Sequence, residues 1–171
     1  MAPYPNERSS EIQSLLDRAA IHDLLTRYFQ GLDRSDPAQV RGCFTEDIRA
    51  HYDKRTPTRG LDEMMKSLEN FNKLRDGRMR ITNHFMGNLN FCLLEGDVAE
   101  TETNALAFLV EPGEGMGLVA MRSLRYLDRM RRQADGWRIS DRIHTLDWSC
   151  QVPVSFAITL AQRVSALPVR K

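Results

Sequence analysis

Asp33 closes the run LLTRYFQGLDRSDP, where an apolar residue would be expected. Leu25, Phe29 and Asp33 recur four residues apart, so on a helix two apolar side chains and one carboxylate share a face. A carboxylate on a buried face needs a partner. Histidine is the partner that would give the acid a chemical use. A carboxylate on one ring nitrogen fixes the imidazole tautomer and stabilises the imidazolium. The other nitrogen is then left to take a proton from carbon, or to give one to a departing hydroxide, a transfer worth ~10²–10⁴ in rate.

The chain offers four histidines. His22 lies beside Asp23 on the first helix and reads as a surface residue. His51 and Tyr52 are neighbours on a short strand, so one of them points inward. His84 shares a strand face with Met86, Asn88 and Asn90. That partly polar company suits a wet pocket better than a dry core. Arg142 and His144 alternate on the last strand and share a face.

Each candidate has a plainer reading. Asp33 precedes Asp36 by three residues near a helix end, where acids commonly act as caps. His84 also suits a satisfied core histidine. Tyr28 is either core packing or a hydroxyl donor to a substrate oxygen. Asn104 is a second polar contact or a ladder-edge side chain. Arg142 holds an oxyanion if it faces the cavity and is a solvated arginine if it faces outward. Arg125 is equally open.

Other chemistries lack their signatures. There is no HxH or HExxH spacing, so no metal site is expected. EPGEGMG has glycines but no GxGxxG in a strand-to-helix setting, and no GxSxG elbow occurs. No cofactor is expected. Cys43, Cys92 and Cys150 are odd in number and far apart, which argues against zinc and a disulfide framework and fits a reducing compartment. A net charge of +1 gives no general attraction to nucleic acid or anionic membrane. The basic run RMRRQADGWR reads as a solvated hairpin tip. No apolar run reaches the ~18 residues of a membrane span. MAPYPNERSS lacks a signal-peptide centre. These features together point to a cytoplasmic protein.

The elements that must position these residues read helical first and extended later, which argues for an α+β fold. Ser10 and Gln13 form a capping box, and the helix after it carries Ile12, Leu15, Leu16, Ala19, Ala20, Leu24, Leu25, Tyr28, Phe29 and Leu32 on one face. Asp36-Pro37 starts a second helix, with Val40, Cys43 and Phe44 buried. A short strand spans Ile48 to Tyr52. GLDEMMKSLENFNKLR reads as a third helix with Met64, Met65, Leu68 and Phe71 inward. From Met79 the period changes to two. One unbroken face of RITNHFMGNLNFCLL carries Ile81 through Leu93, and the other carries Thr82 through Leu94. Turns at Glu95-Gly96-Asp97 and Ala134-Asp135-Gly136 make two long hairpins. The expected architecture is a cone-shaped, curved antiparallel sheet with three helices enclosing a pocket.

RAAIHDLLTRYFQGLDRSDPAQVRGCFTED, followed by ITNHFMGN and the closing DGWRISDRI, resembles the SnoaL-like branch of the nuclear transport factor two-like superfamily. The likeness runs from about Ser10 to Trp148. It implies a cone with a deep apolar pocket, usually in a homodimer. Dehydratases and a dehydrochlorinase of that family share an Asp near the end of the first helix and a His on a pocket-facing strand. Those positions fall on Asp33 and His84. A Tyr five residues before the Asp in one dehydratase falls on Tyr28. The superfamily also holds isomerases, cyclases, other lyases and binding proteins, so fold does not settle function.

The expectation is therefore a cofactor-independent lyase, a dehydratase or related eliminating or aldehyde-releasing enzyme. Asp33, His84 and Tyr28 are its catalytic candidates. Phe29, Tyr52, Met64, Phe85, Met86, Asn104, Arg142 and His144 are its substrate-binding candidates. A hydrophobic aromatic or polycyclic substrate fits such walls. An isomerase or cyclase with the same pair, and a non-catalytic binder, are the alternatives. Residues 1–9 read as an arm, 10–150 as the domain and 151–171 as a tail.

Overall fold

The computed structural model describes residues 5–68, 71, 73–74, 76–78, 81–110 and 118–153. The EPGEGMG loop and the segment beyond Pro153, which the sequence reads as a tail, lie outside the described residues.

Helix α1 spans Pro5–Arg34 and begins earlier than Ser10, with a proline whose fixed φ suits a first turn. Its buried side chains recur three and four apart, at Ile21, Leu24, Leu25, Tyr28, Phe29 and Leu32. Ile12, Leu15 and Leu16 are exposed, contrary to the single long face read from the sequence, because only the half of α1 from Asp17 onward packs on the sheet. Asp17 anchors that half. It accepts from Arg132 Nη2 at 2.6 Å, Gln13 Nε2 at 3.1 Å and Trp137 Nε1 at 3.2 Å, and Arg132 above all lowers its pKa.

Helix α2, Pro37–Arg41, is capped by Asp36, whose carboxylate accepts from Gln39 N at 2.9 Å. Strand β1 runs Phe44–Tyr52, longer than expected, and β2 is Thr58–Arg59. Helix α3 is Leu61–Ser67, with Met64 fully buried. Four long strands follow: β3 Ile81–Glu95, β4 Val98–Val110, β5 Leu118–Gln133 and β6 Gly136–Pro153. Gly96 and Gly136 take positive φ at the two hairpin turns, where a side chain would be strained.

The six strands form one sheet in the order β2-β1-β6-β5-β4-β3. The hairpins make its long portion antiparallel. β1 enters from the helices and lies parallel to β6, so the sheet is mixed rather than wholly antiparallel. β3 is not one unbroken two-faced strand. Met86 pairs with Ala105 and Leu89 with Thr103, so an extra residue bulges out near Gly87. A second register shift falls between Phe91 and Leu93. Inward residues are thus Thr82 and Met86 before the first bulge, and Leu89 and Phe91 after it. Asn88 and Asn90 are exposed and do not accompany His84 on a pocket face.

The core closes over a buried cation. Arg142 lies directly across the ladder from Asp128 and makes two hydrogen bonds of 2.7 Å with its carboxylate, both side chains being fully buried. The guanidinium carbon sits 4.1 Å from the Tyr28 ring centre and 4.7 Å from that of Tyr126. Removing one partner strands a buried charge. Asp128→Ala is therefore expected to cost about 3–5 kcal/mol in urea unfolding. Asp128→Leu combined with Arg142→Met should recover most of that loss.

Candidate active site

Asp33 sits in the last turn of α1, beside a tight reversal. Asp36 N donates to Gly31 O at 2.8 Å, and Ser35 takes φ 53°. A Cβ on Gly31 would stand 2.7 Å from Val40 Cγ2, so only glycine lets α2 fold back this closely. Asp36 caps α2, which leaves the Asp33 carboxylate for another role. That carboxylate meets the start of β3. Its Oδ1 is 2.7 Å from His84 Nδ1, and its Oδ2 accepts from His84 N at 2.9 Å and from Asn83 Nδ2 at 3.2 Å. The His84 and Asp33 side chains are only 4% and 9% exposed, so solvent screens the pair weakly. Phe29 stacks on the imidazole with ring centres 5.7 Å apart.

With Nδ1 held by Asp33, Nε2 is the His84 nitrogen available to a molecule in the adjoining cavity. That cavity has about 620 Å3 of empty space, its open mouth included, and His84, Ala107, Leu109 and Leu124 form part of its wall. Tyr28, Tyr52, Tyr126 and His144 line it as well. The Tyr28 and Tyr52 hydroxyls are 3.3 Å apart. Burial pushes the Tyr28 and Tyr126 phenols above their ordinary pKa, which keeps both as neutral donors. His144 lies across the ladder from both Tyr126 and Tyr52, which bracket its ring at 4.9 and 5.2 Å between centres. Asp53 Oδ1 is 3.4 Å from His144 Nδ1, a contact that leaves Nδ1 without a well-formed hydrogen bond.

The sequence candidates separate into three groups. Tyr28, Tyr52, His84 and His144 line the cavity, with Asp33 behind His84. Phe29, Met64 and Met86 pack in or against the core instead of forming the cavity wall. Phe85 and Asn104 lie on the other side of the sheet. Phe85 is 61% exposed because it alternates with His84. Arg142 does face inward, but it lies among Tyr28, Tyr126 and Phe44 and is committed to Asp128. Sequence reasoning missed Tyr126 and Arg122. Both fall on one face of LVAMRSLRYLDRM together with Leu124 and Asp128, a period-two signal that was there to be read. Arg55 and Asp53 line the cavity from the turn after β1, which has no periodicity to reveal them.

Among the described residues, no three His, Cys, Asp or Glu side chains converge as a metal site would require. Nor is any described helix long and apolar enough to cross a membrane.

Residues 13–143 match the family model for the SnoaL-like domain, and the chain belongs to that family. Its fold is nuclear transport factor two-like. An ntf2-like protein with a cystatin-like fold from Novosphingobium aromaticivorans superposes with TM-score 0.71 at 20% identity, over 86% of this chain and 92% of that one. A proposed scytalone dehydratase from the same organism gives 0.70 at 20% identity, over 92% and 96%. A hexachlorocyclohexane dehydrochlorinase from Novosphingobium barchaimii LL02 gives 0.70 at 17% identity, over 90% and 99%. At these identities the likeness establishes the fold. No curated protein matches the sequence.

Burial depresses the His144 pKa to about 4; the Arg142 cation acts in the same direction and Asp53 opposes both. The folded state therefore resists protonation at pH values where the unfolded chain, titrating near 6.5, accepts a proton. Stability is fully present above about pH 6.5 and falls as pH drops toward about 4, by roughly 2–3 kcal/mol from this group. His144→Gln should flatten that part of the stability–pH curve in denaturant titrations at several pH values.

Proposed function

We propose that the protein is a cofactor-independent lyase of the dehydratase type, acting on a hydrophobic cyclic small molecule. The contact between Asp33 and His84 Nδ1, on the wall of an open-mouthed cavity, carries this reading. Asp33 holds the imidazole with its proton on Nδ1. Nε2 then takes a proton from a carbon next to the one bearing the leaving group. The C–H electron pair becomes the new double bond, and the departing hydroxide takes that proton back from Nε2 to leave as water, restoring the neutral imidazole. Imidazolium forms beside a carboxylate that stabilises it. The Tyr28 and Tyr52 hydroxyls, with His144 beside Tyr52, line the same cavity as donors to a substrate oxygen as it gains charge. The mixture of leucine and aromatic side chains in the lining suits a ring system oriented by a few polar contacts.

An isomerase would use the same base and return the proton to another carbon, whereas a binding protein has no use for a buried carboxylate on its histidine. A panel of aromatic and steroid-like alcohols, followed by mass spectrometry for loss of water, separates the three. Asp33→Asn and His84→Ala are each expected to lower turnover by about 10²–10⁴ without loss of fold. Full turnover in both variants would remove the mechanism.

The family likeness and the outer sheet face support a homodimer. Phe85, Ile143 and Trp148 stand exposed on that face, an apolar surface suited to a second subunit. Trp148→Glu is expected to shift sedimentation toward the monomer, and unchanged sedimentation would place the contact elsewhere.

A further inference from the structure

Arg122 is set apart from the other arginines of its hairpin. Arg125 meets Glu102 and Asp147, Arg129 meets Glu100, and Arg131 meets Asp47. Arg132 meets Asp17 and Asp97, Arg138 meets Asp135, and Arg142 meets Asp128. Arg122 alone has no carboxylate among the described residues, although it is half-buried and faces the cavity. Its ladder neighbours are Ala107 on one side and Ser149 on the other.

The register fixes its relation to His84. His84 pairs with Ala107, and Ala107 pairs with Arg122. The imidazole and the guanidinium thus spring from one row of the sheet, two strand spacings or about 10 Å apart. The residue between them carries only a methyl group, which leaves a trough along that row. Arg55 adds a second cation to the cavity wall, with its Nη1 held on Ser67 O at 2.9 Å. The lining carboxylate, Asp53, lies against His144. His144 pairs with Tyr126, four residues along β5 from Arg122.

We infer that the ligand of this cavity is a hydrophobic carboxylate, its ring system lying over Ala107 and its carboxylate gripped by Arg122. The inference rests on the reading of the cavity as a substrate pocket and narrows the substrate class to organic acids. A guanidinium fork matches a carboxylate in two parallel hydrogen bonds, and no carboxylate among the described residues forms an ion pair with this one. Anchoring one end of the molecule on Arg122 also sets which carbon reaches His84 Nε2.

Calorimetry with naphthalene carboxylate and the matching carboxamide at neutral pH tests the assignment without turnover. The wild-type protein should bind the carboxylate at least about tenfold more tightly than the carboxamide. Arg122→Gln should abolish that preference, and Arg122→Lys should keep part of it. His84→Ala should keep it, so anion binding and elimination can fail separately. Equal affinity for the two probes in wild type, an undiminished preference in Arg122→Gln, or no carboxylate binding at millimolar concentration overturns the assignment.

Discussion

One carboxylate ties the helical layer to the sheet at the point where the cavity begins. Asp33 lies in the last turn of a 30-residue helix, where the helix dipole disfavours negative charge. Burial disfavours it further. Three hydrogen bonds from two consecutive β3 residues offset both costs, and one of them comes from the His84 backbone. The acid therefore fixes where β3 begins its run across α1 as well as which way the imidazole points. The glycine-dependent reversal after it has the same consequence. Because Gly31 lets α2 fold back on α1, the helix ends where its acid can reach the strand.

What the sequence showed plainly was whatever a short-range period encodes. The three-and-four spacing from Ile21 to Leu32 is the packed stripe, and Asp36-Pro37 and Asp135-Gly136 mark a helix start and a hairpin turn. The misleading part was the same stripe continued backwards. Ile12, Leu15 and Leu16 fit the helical period but extend beyond the sheet. Periodicity describes a face; tertiary structure decides how much of that face has something to pack against.

Bulges set a second limit. Period-two reading assumes that one residue always opposes one residue, and near Gly87 two β3 residues oppose one on β4. Side-chain assignments change face from there to the second shift after Phe91, beyond which Leu94 is again in phase with His84. His84 precedes the bulge and shares the inward face with Thr82 and Met86, whereas Asn88 and Asn90, which the same period puts beside it, lie past the bulge and are exposed. The bulge also leaves the β3 backbone close to Asn104, where a Cβ on Gly87 would approach the carbonyl oxygen to 3.1 Å. No composition rule distinguishes such a glycine from one in an ordinary strand.

Arginine shows why residue type alone could not name the polar groups of the cavity. Arg122 and Arg142 are inward-facing on adjacent strands, but their ladder partners differ. Arg142 stands directly opposite Asp128, so its charge is consumed within the protein and its plane becomes a surface on which Tyr28 and Tyr126 pack. Arg122 stands between an alanine and a serine. A buried ion pair makes one arginine structural; the other lines the cavity, and no carboxylate among the described residues forms an ion pair with it. The distinction lies in cross-strand register, which is set by turn length and bulges far along the chain. It becomes visible only once the strands have been paired.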